Sequence, residues 1–288
     1  MDSMQDILNI EIKKIKAMSD NYFLNIPQEF RSDIISYFSA PSKYLRSKLL
    51  ILSQFGLQQN ISETTIKLAI AIEFAHNASL LHDDVIDEAK IRRTAPSFNI
   101  KTSPKIAILA GDWVIAQILK ILNEINNQEI NLLFANAISN MSLGEIYQFY
   151  NKSKTPTLEE YYYKNYQKTG ELFKIAIIAP LILSKNYAKI ESAQNFVKYF
   201  SNAFQINDDI KNYFNKSSDK PTQTDEKQGI YTLPIILKAN NKNANLYEEC
   251  CQILEHQVKL AIESLDFVED NKVRKTIISL CENLLEDV

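Results

Sequence analysis

The chain has 288 residues, 45% of them hydrophobic, and a formal net charge of −3 with a pI near 5.8. That balance argues against a broad nucleic-acid-binding surface, since such surfaces are strongly basic. Of the three cysteines, Cys250 and Cys251 are adjacent and Cys281 stands alone, which makes neither a disulfide framework nor a metal-binding spacing and points to a reducing, cytoplasmic setting.

Only five Gly and eight Pro punctuate the chain, so long uninterrupted helices are expected over a turn-rich β architecture. Apolar residues recur at helical spacing nearly everywhere, and no run alternates with a period of two. The spacing predicts helices over 5–18, 29–39, 42–57, 62–89, 105–125, 128–150, 157–184, 188–214, 231–240, 245–265 and 270–286. Breaks fall at Pro27, at Ala40-Pro41-Ser42, between Thr94 and Pro104, and between Asn151 and Pro156. The polar stretch Asn215 to Gly229 reads as a loop at the mouth of a site. The N-terminus carries acids early, unlike a secretory leader. No apolar run reads as a membrane span; the best candidate, Ile175 to Leu183, is interrupted by Pro180, so the protein is not expected to be an integral membrane protein. The expectation is one all-α domain, residues 1–288, built as a single large bundle of helices.

Two acidic clusters stand out from this background. The first is Asp83-Asp84-Val85-Ile86-Asp87 and the second Asp208-Asp209. Carboxylates in apolar surroundings are costly to bury unless a cation neutralises them. On a helix of about 3.6 residues per turn, Asp83 and Asp87 share a face and Asp84 points roughly 100° away. Such a pair suits Mg²⁺, which takes one or two carboxylates and completes its shell with water and phosphate oxygens. It is a poor zinc site, because His and Cys partners are missing at ligand spacing. The plain alternative is a solvated acidic helix face, which the apolar flanks disfavour. Cations follow nearby: Arg92-Arg93 just after the first cluster, Lys43 and Arg46 three residues apart, and His76 two turns before Asp83. Paired guanidiniums grip diphosphates through bidentate bonds, although a basic pair at a helix end is also common.

The chain resembles the trans-polyprenyl diphosphate synthases over about residues 40–236. The resemblance is carried by SKYLRS at 42–47, HNASLLHDDVID at 76–87, RRTAP at 92–96 and ILAGDWVIAQ at 108–117. It continues through GEIYQ at 144–148, KTGELF at 168–173, FQINDD at 204–209 and TDEKQGIYTLP at 224–234. It implies the isoprenoid synthase fold, an all-helical bundle around a central cavity, and a prenyltransferase condensing isopentenyl diphosphate with an allylic diphosphate. It further implies three Mg²⁺ ions held by Asp83, Asp87 and Asp208, with Asp84 and Asp209 supporting them. Arg92 would hold the allylic diphosphate, and Arg93, Lys43, Arg46 and His76 the isopentenyl diphosphate. Lys168, Thr169 and Gln205 would sit at the breaking C–O bond. A homodimer is implied, with apolar helix faces between Lys105 and Tyr150.

Small residues at Ala71, Ala75, Ala78 and Ser79 lie behind Asp83, where short-chain members of the family place a bulky aromatic; the expected product is therefore longer than C20. The chain departs from the family pattern at Pro41, Ser42, Tyr44, Ser47, Thr94, Asn212 and Ile230, which implies a weakened third Mg²⁺ site. Three other readings remain open: a catalytically weak regulatory subunit of a heteromeric synthase, a C15 or C20 synthase, and a terpene cyclase. Lys43, Arg46, His76 and Arg93 argue against a cyclase, which has no second diphosphate to bind.

Overall fold

The computed structural model describes residues 3–57, 60–92, 95–151, 155–214, 231–240, 245–286 and 288. These are almost entirely helical, as the periodicity predicts. The helices group into two compact units, Met1–Phe55 with Gln59–Leu132 and Gly56–Gln58 with Leu133–Val288. Uniform helical periodicity carries no mark of such a division, because it depends on which helices choose each other as packing partners.

The first unit contains α1 (Met4–Asp20), α2 (Gln28–Phe38), α3 (Leu45–Gly56), α4 (Glu63–Ile86), α5 (Phe98–Lys101), α6 (Pro104–Ile125) and the start of α7 (Gln128–Tyr150). Its axis is α4, which packs along α6 and α1 and buries Leu68, Ile70, Ile72 and Phe74. Ser62 starts this helix by accepting the Thr65 N–H, and the Thr65 hydroxyl accepts the Ser62 N–H in return. Rings of Phe23, Phe38, Phe74 and Trp113 pack with centroids between 5.0 and 5.8 Å apart.

Ser103 caps α6, Pro104 opens it, and Asn126 ends it in the left-handed conformation. Contrary to the sequence reading, α6 is long and apolar enough to cross a membrane by length and composition. One face, Ala107, Ala110, Val114, Ile118 and Ile121, is buried in the packing of this unit, and Ile108, Leu109 and Leu119 on the rest of the helix are exposed. At Gly111 an added Cβ would lie 2.2 Å from His82 Nε2, so the glycine makes room for the His82 ring against α6.

The second unit holds the rest of α7, then α8 (Leu158–Asn165), a π-helical turn (Tyr166–Gly170), α9 (Glu171–Leu183) and α10 (Ile190–Phe214). After these come α11 (Leu233–Asn240), α12 (Leu246–Glu263) and α13 (Asn271–Glu286). Here α10 is the axis, packed on α9 and α12 with Phe173, Phe196 and Phe200 at its core. The helix expected over 157–184 is interrupted by the π turn, which shifts the faces of α8 and α9 relative to each other. All three cysteines are free, and burial pushes the Cys250 and Cys281 thiols up to about 12.

Two boundaries differ from expectation where they matter for function. Tyr44 takes a left-handed φ of 49°, so α3 starts at Leu45 instead of residue 42. Asp87 leaves helical geometry and Glu88 adopts φ 50°, so α4 stops at Ile86 and the chain turns into β1 (Ile91–Arg92) and β2 (Ala95–Pro96). These two strands pair antiparallel, Ile91 with Pro96 and Arg92 with Ala95.

Candidate active site

In the first unit, the acidic cluster occupies the C-terminal end of α4. Asp83 is partly exposed in the last turn, and Asp87 is the exposed C-cap, its N–H bonded to the Asp83 carbonyl at 2.8 Å. Both carboxylates thus sit at the negative end of the helix macrodipole, where the last turn offers no basic residue. Each such acid costs a few tenths to about 1 kcal/mol in that position. A bound cation would reverse the sign of that interaction.

Asp84, between Asp83 and Asp87 in sequence, is placed differently. It is fully buried, and its Oδ1 accepts a hydrogen bond from Arg92 Nε at 2.6 Å. Its backbone carbonyl accepts from Asn99 Nδ2 and Ala89 N–H, tying down the turn that follows α4. Asp84 therefore aims Arg92. Arg92 lies on β1, with its side chain about a quarter exposed (28%). Arg93, Thr94, Ile230 and the polar stretch at 215–229, including Lys216, Lys220 and Lys227, lie outside the described residues.

Lys43 is exposed in the turn before α3, and Arg46 is half-buried in the first turn of that helix. Burial lowers the Arg46 guanidinium from its ordinary value while the Glu73 charge opposes the shift. Glu73 is a residue the sequence reading missed. Its Oε1 accepts the Ser47 hydroxyl at 2.7 Å and the Ser47 N–H at 3.3 Å, pinning the start of α3 to α4. Its signal was present: a single acid inside the apolar run before His76. His76 follows on α4 and is partly exposed. Of the residues assigned to the product tail, Ser79 keeps accessible surface, whereas Ala75, Ala78 and Ala71 are buried in the packing of α4. The accessible face leading back from Asp83 runs through Leu80, Ser79 and His76.

In the second unit, Thr169 and Gln205, two of the three residues expected at the C–O bond, join one hydrogen-bond network. Thr169 Oγ1 donates to Gln205 Oε1 at 3.2 Å, and Gln205 Nε2 donates to Asp209 Oδ1 at 2.9 Å. Asp209 Oδ2 accepts from Tyr161 OH at 2.7 Å and from the Leu233 N–H at 2.9 Å. Asp209 is almost wholly buried with both oxygens engaged. Burial raises its carboxyl above the ordinary 3.8, against the pull of those three donors. Asp208 is exposed on the next position of α10, and Asn212 Nδ2 donates to its Oδ2 at 3.1 Å.

Lys168 projects from the π turn. Its ammonium pairs with Glu145 and lies 3.4 Å from Gln148 Oε1, both on α7 within GEIYQ. Gly144 allows that approach, because a Cβ there would meet Gln167 Cβ at 2.9 Å and Lys168 Cγ at 3.3 Å. Glu145, Gln148 and Tyr161 are further site residues that spacing alone did not single out.

Among the described residues no three His, Cys, Asp or Glu side chains converge into a ready-made metal cage. In each unit taken by itself the acids are of the kind Mg²⁺ prefers, hard carboxylate oxygens, exposed on Asp87 and partly exposed on Asp83 in the first and exposed on Asp208 in the second.

The profile of the polyprenyl synthetase family matches residues 28–267. The chain belongs to the polyprenyl synthetase family. Decaprenyl-diphosphate synthase of Dictyostelium discoideum is 32% identical over 244 residues, covering 80% of this chain and 53% of that protein. The chain thus spans about half that relative's length. The crystal structure of heptaprenyl diphosphate synthase from Staphylococcus aureus superposes with a TM-score of 0.88 at 25% identity, covering 97% of this chain and 98% of that one. A polyprenyl synthase from Caulobacter crescentus CB15, solved with calcium and isoprenyl diphosphate, shares the fold at TM-score 0.89 and 20% identity, covering 98% and 96%. Within this polyprenyl synthetase fold, the two acidic clusters fall at the end of α4 and near the end of α10.

Proposed function

We propose that this polyprenyl synthetase condenses isopentenyl diphosphate with an allylic diphosphate in the trans configuration, giving a product longer than C20. The observation that carries the reading is the network of Thr169, Gln205 and Asp209 beside an exposed Asp208, with Lys168 on the same π turn as Thr169. Family membership and the long-chain synthases among its relatives support the substrate class and the product length.

Asp83, Asp87 and Asp208 would hold Mg²⁺, and the bound ions would supply Lewis-acid stabilisation of charge on the leaving diphosphate. The number of ions, three in this reading, is part of the proposal. Arg92, held through Nε by Asp84, offers its terminal nitrogens to the allylic diphosphate. Lys168, paired with Glu145 in the free protein, would turn to the leaving group and add positive charge where negative charge develops. Thr169 and Gln205 orient along the flank of the allylic carbon chain. Lys43, Arg46, His76 and Arg93 take the isopentenyl diphosphate, and Glu73 keeps Arg46 and Ser47 in place at the start of α3.

A homodimer is part of this reading. Leu109 and Leu119 on α6 are each about 60% exposed, and α7 exposes Leu132, Leu143 and Ile146, so both helices keep apolar surface for a second copy. A second reading, a weak subunit supporting an active partner chain, draws on Asn212, which occupies Asp208 Oδ2 where the family has an acid.

The test is incubation of the purified protein with labelled isopentenyl diphosphate, an allylic primer and Mg²⁺, followed by chain-length analysis. Products beyond C20 that vanish with chelator are expected. Absence of any product with C10, C15 and C20 primers overturns the enzyme reading and favours the subunit reading.

A further inference from the structure

We propose that Tyr161 is a positioning residue for the allylic diphosphate end of the site, acting through Asp209. This rests on the prenyl-transfer reading above and assigns a role to a side chain outside every motif of the resemblance. Tyr161 is buried on α8, seven positions before Lys168, which lies in the π turn that follows that helix. Its O–H donates to Asp209 Oδ2 at 2.7 Å, the same oxygen that takes the Leu233 N–H at the start of α11. Gln205 Nε2 holds the other oxygen. Three donors from three helices therefore fix the plane of one buried carboxylate, and α8, α10 and α11 meet at that point.

The consequence follows from helix geometry. Neighbouring residues on a helix point about 100° apart, so a pinned, inward Asp209 turns Asp208 outward. Gln205, one turn back, is held by the same carboxylate and in turn accepts the Thr169 hydroxyl. One phenol thus sets the facing of a proposed metal ligand on one side and of a C–O-bond residue on the other. Removing its O–H leaves a buried carboxylate oxygen one donor short, and α10 relaxes by a rotation small in ångströms but large for a reaction that depends on placement. The residues proposed for the isopentenyl diphosphate, Lys43, Arg46 and His76, belong to the other unit.

The test compares Tyr161→Phe with Phe196→Leu, a buried change in the same unit where Phe196 packs against Phe200 and Phe267. Initial rates of the full chain are measured against Mg²⁺, allylic diphosphate and isopentenyl diphosphate, together with Tm. Tyr161→Phe is expected to raise the Mg²⁺ midpoint and the allylic KM by about three- to tenfold, with isopentenyl KM within about twofold. Phe196→Leu is expected to lower Tm as much or more and leave both midpoints where they are.

An unchanged Mg²⁺ midpoint and allylic KM in Tyr161→Phe, equal shifts in both substrate KM values, or the same split in Phe196→Leu each overturn the proposal. Calorimetric binding of an allylic thiodiphosphate with Mg²⁺ reads the same effect without turnover. Weaker binding in Tyr161→Phe supports the proposal and equal binding overturns it, even if the wild-type chain makes no product. The failure of Tyr161 is therefore separable from failure of the enzyme reading.

Discussion

Asp84 and Asp209 each stand second from the start of their cluster, and each is buried where its neighbour Asp83 or Asp208 keeps accessible surface. They are stabilised in different ways. Asp84 accepts from a guanidinium, Arg92 Nε at 2.6 Å, so its charge meets an opposite charge. Asp209 accepts from a phenol, an amide and a backbone N–H, so its charge is spread over neutral dipoles. The contrast shows why an Asp-Asp pair divides its labour. On a helix the two side chains diverge, so one can face the ligand while the other fixes the frame that aims it. It also predicts which losses fall on turnover and which on stability.

The largest effects should come from the outward acids. Asp83→Ala, Asp87→Ala and Asp208→Ala should each lower turnover by about a hundredfold or more, as loss of a group that stabilises developing charge does. Unfolding free energy should stay within about 0.5 kcal/mol, since these side chains are solvent-accessible. Steady-state rates and urea unfolding on the same preparations check both halves. Near-full activity in Asp83→Ala or Asp87→Ala would sink the metal assignment.

The inward acids should show the reverse weighting, graded by partner. Arg92→Met leaves the Asp84 charge buried without its cation and should cost about 3 kcal/mol, at the low end for buried pairs because Arg92 is partly exposed. Tyr161→Phe removes one of three neutral donors and should cost about 1–2 kcal/mol. A Tyr161 variant less stable than the Arg92 variant in chemical denaturation would break the comparison.

The pH dependence separates the two further. The Asp209 carboxyl is raised by burial above its ordinary 3.8, so folding favours its protonated form. Its contribution to stability is therefore fully present below about pH 4 and is lost as the pH rises through the raised folded value. Asp209→Asn should flatten that segment of the stability–pH curve; an identical curve would show that Asp209 does not titrate there.

The smallest effects probe the surroundings. Ser79→Phe, on the accessible face behind Asp83, should shorten the product toward C15 or C20. Ala78→Phe, at a buried position, should mainly destabilise by about 1–3 kcal/mol through overpacking. Product analysis and melting curves tell them apart, and an unchanged product in Ser79→Phe removes that face from the tail channel. Gly144→Ala should displace the π turn by a few tenths of an ångström and lower turnover severalfold with little change in fold.

Much of this protein was legible in its amino-acid order. Long helices follow from apolar spacing and scarce glycine and proline, which are local properties, and most predicted spans agree with the observed helices to within a few residues. The acidic pairs, Lys168, Thr169 and Gln205 could be named because each sits in a short contiguous motif. Tertiary structure alone decided which acid of each pair faces water, where α4 stops, how a π turn presents Lys168, and that Ala75 and Ala78 are buried where Ser79 keeps accessible surface. The reason is distance along the chain. Asp209 is held by Tyr161, 48 residues away, and by Leu233, 24 residues away, and no periodicity within a helix records partners that only folding brings into reach.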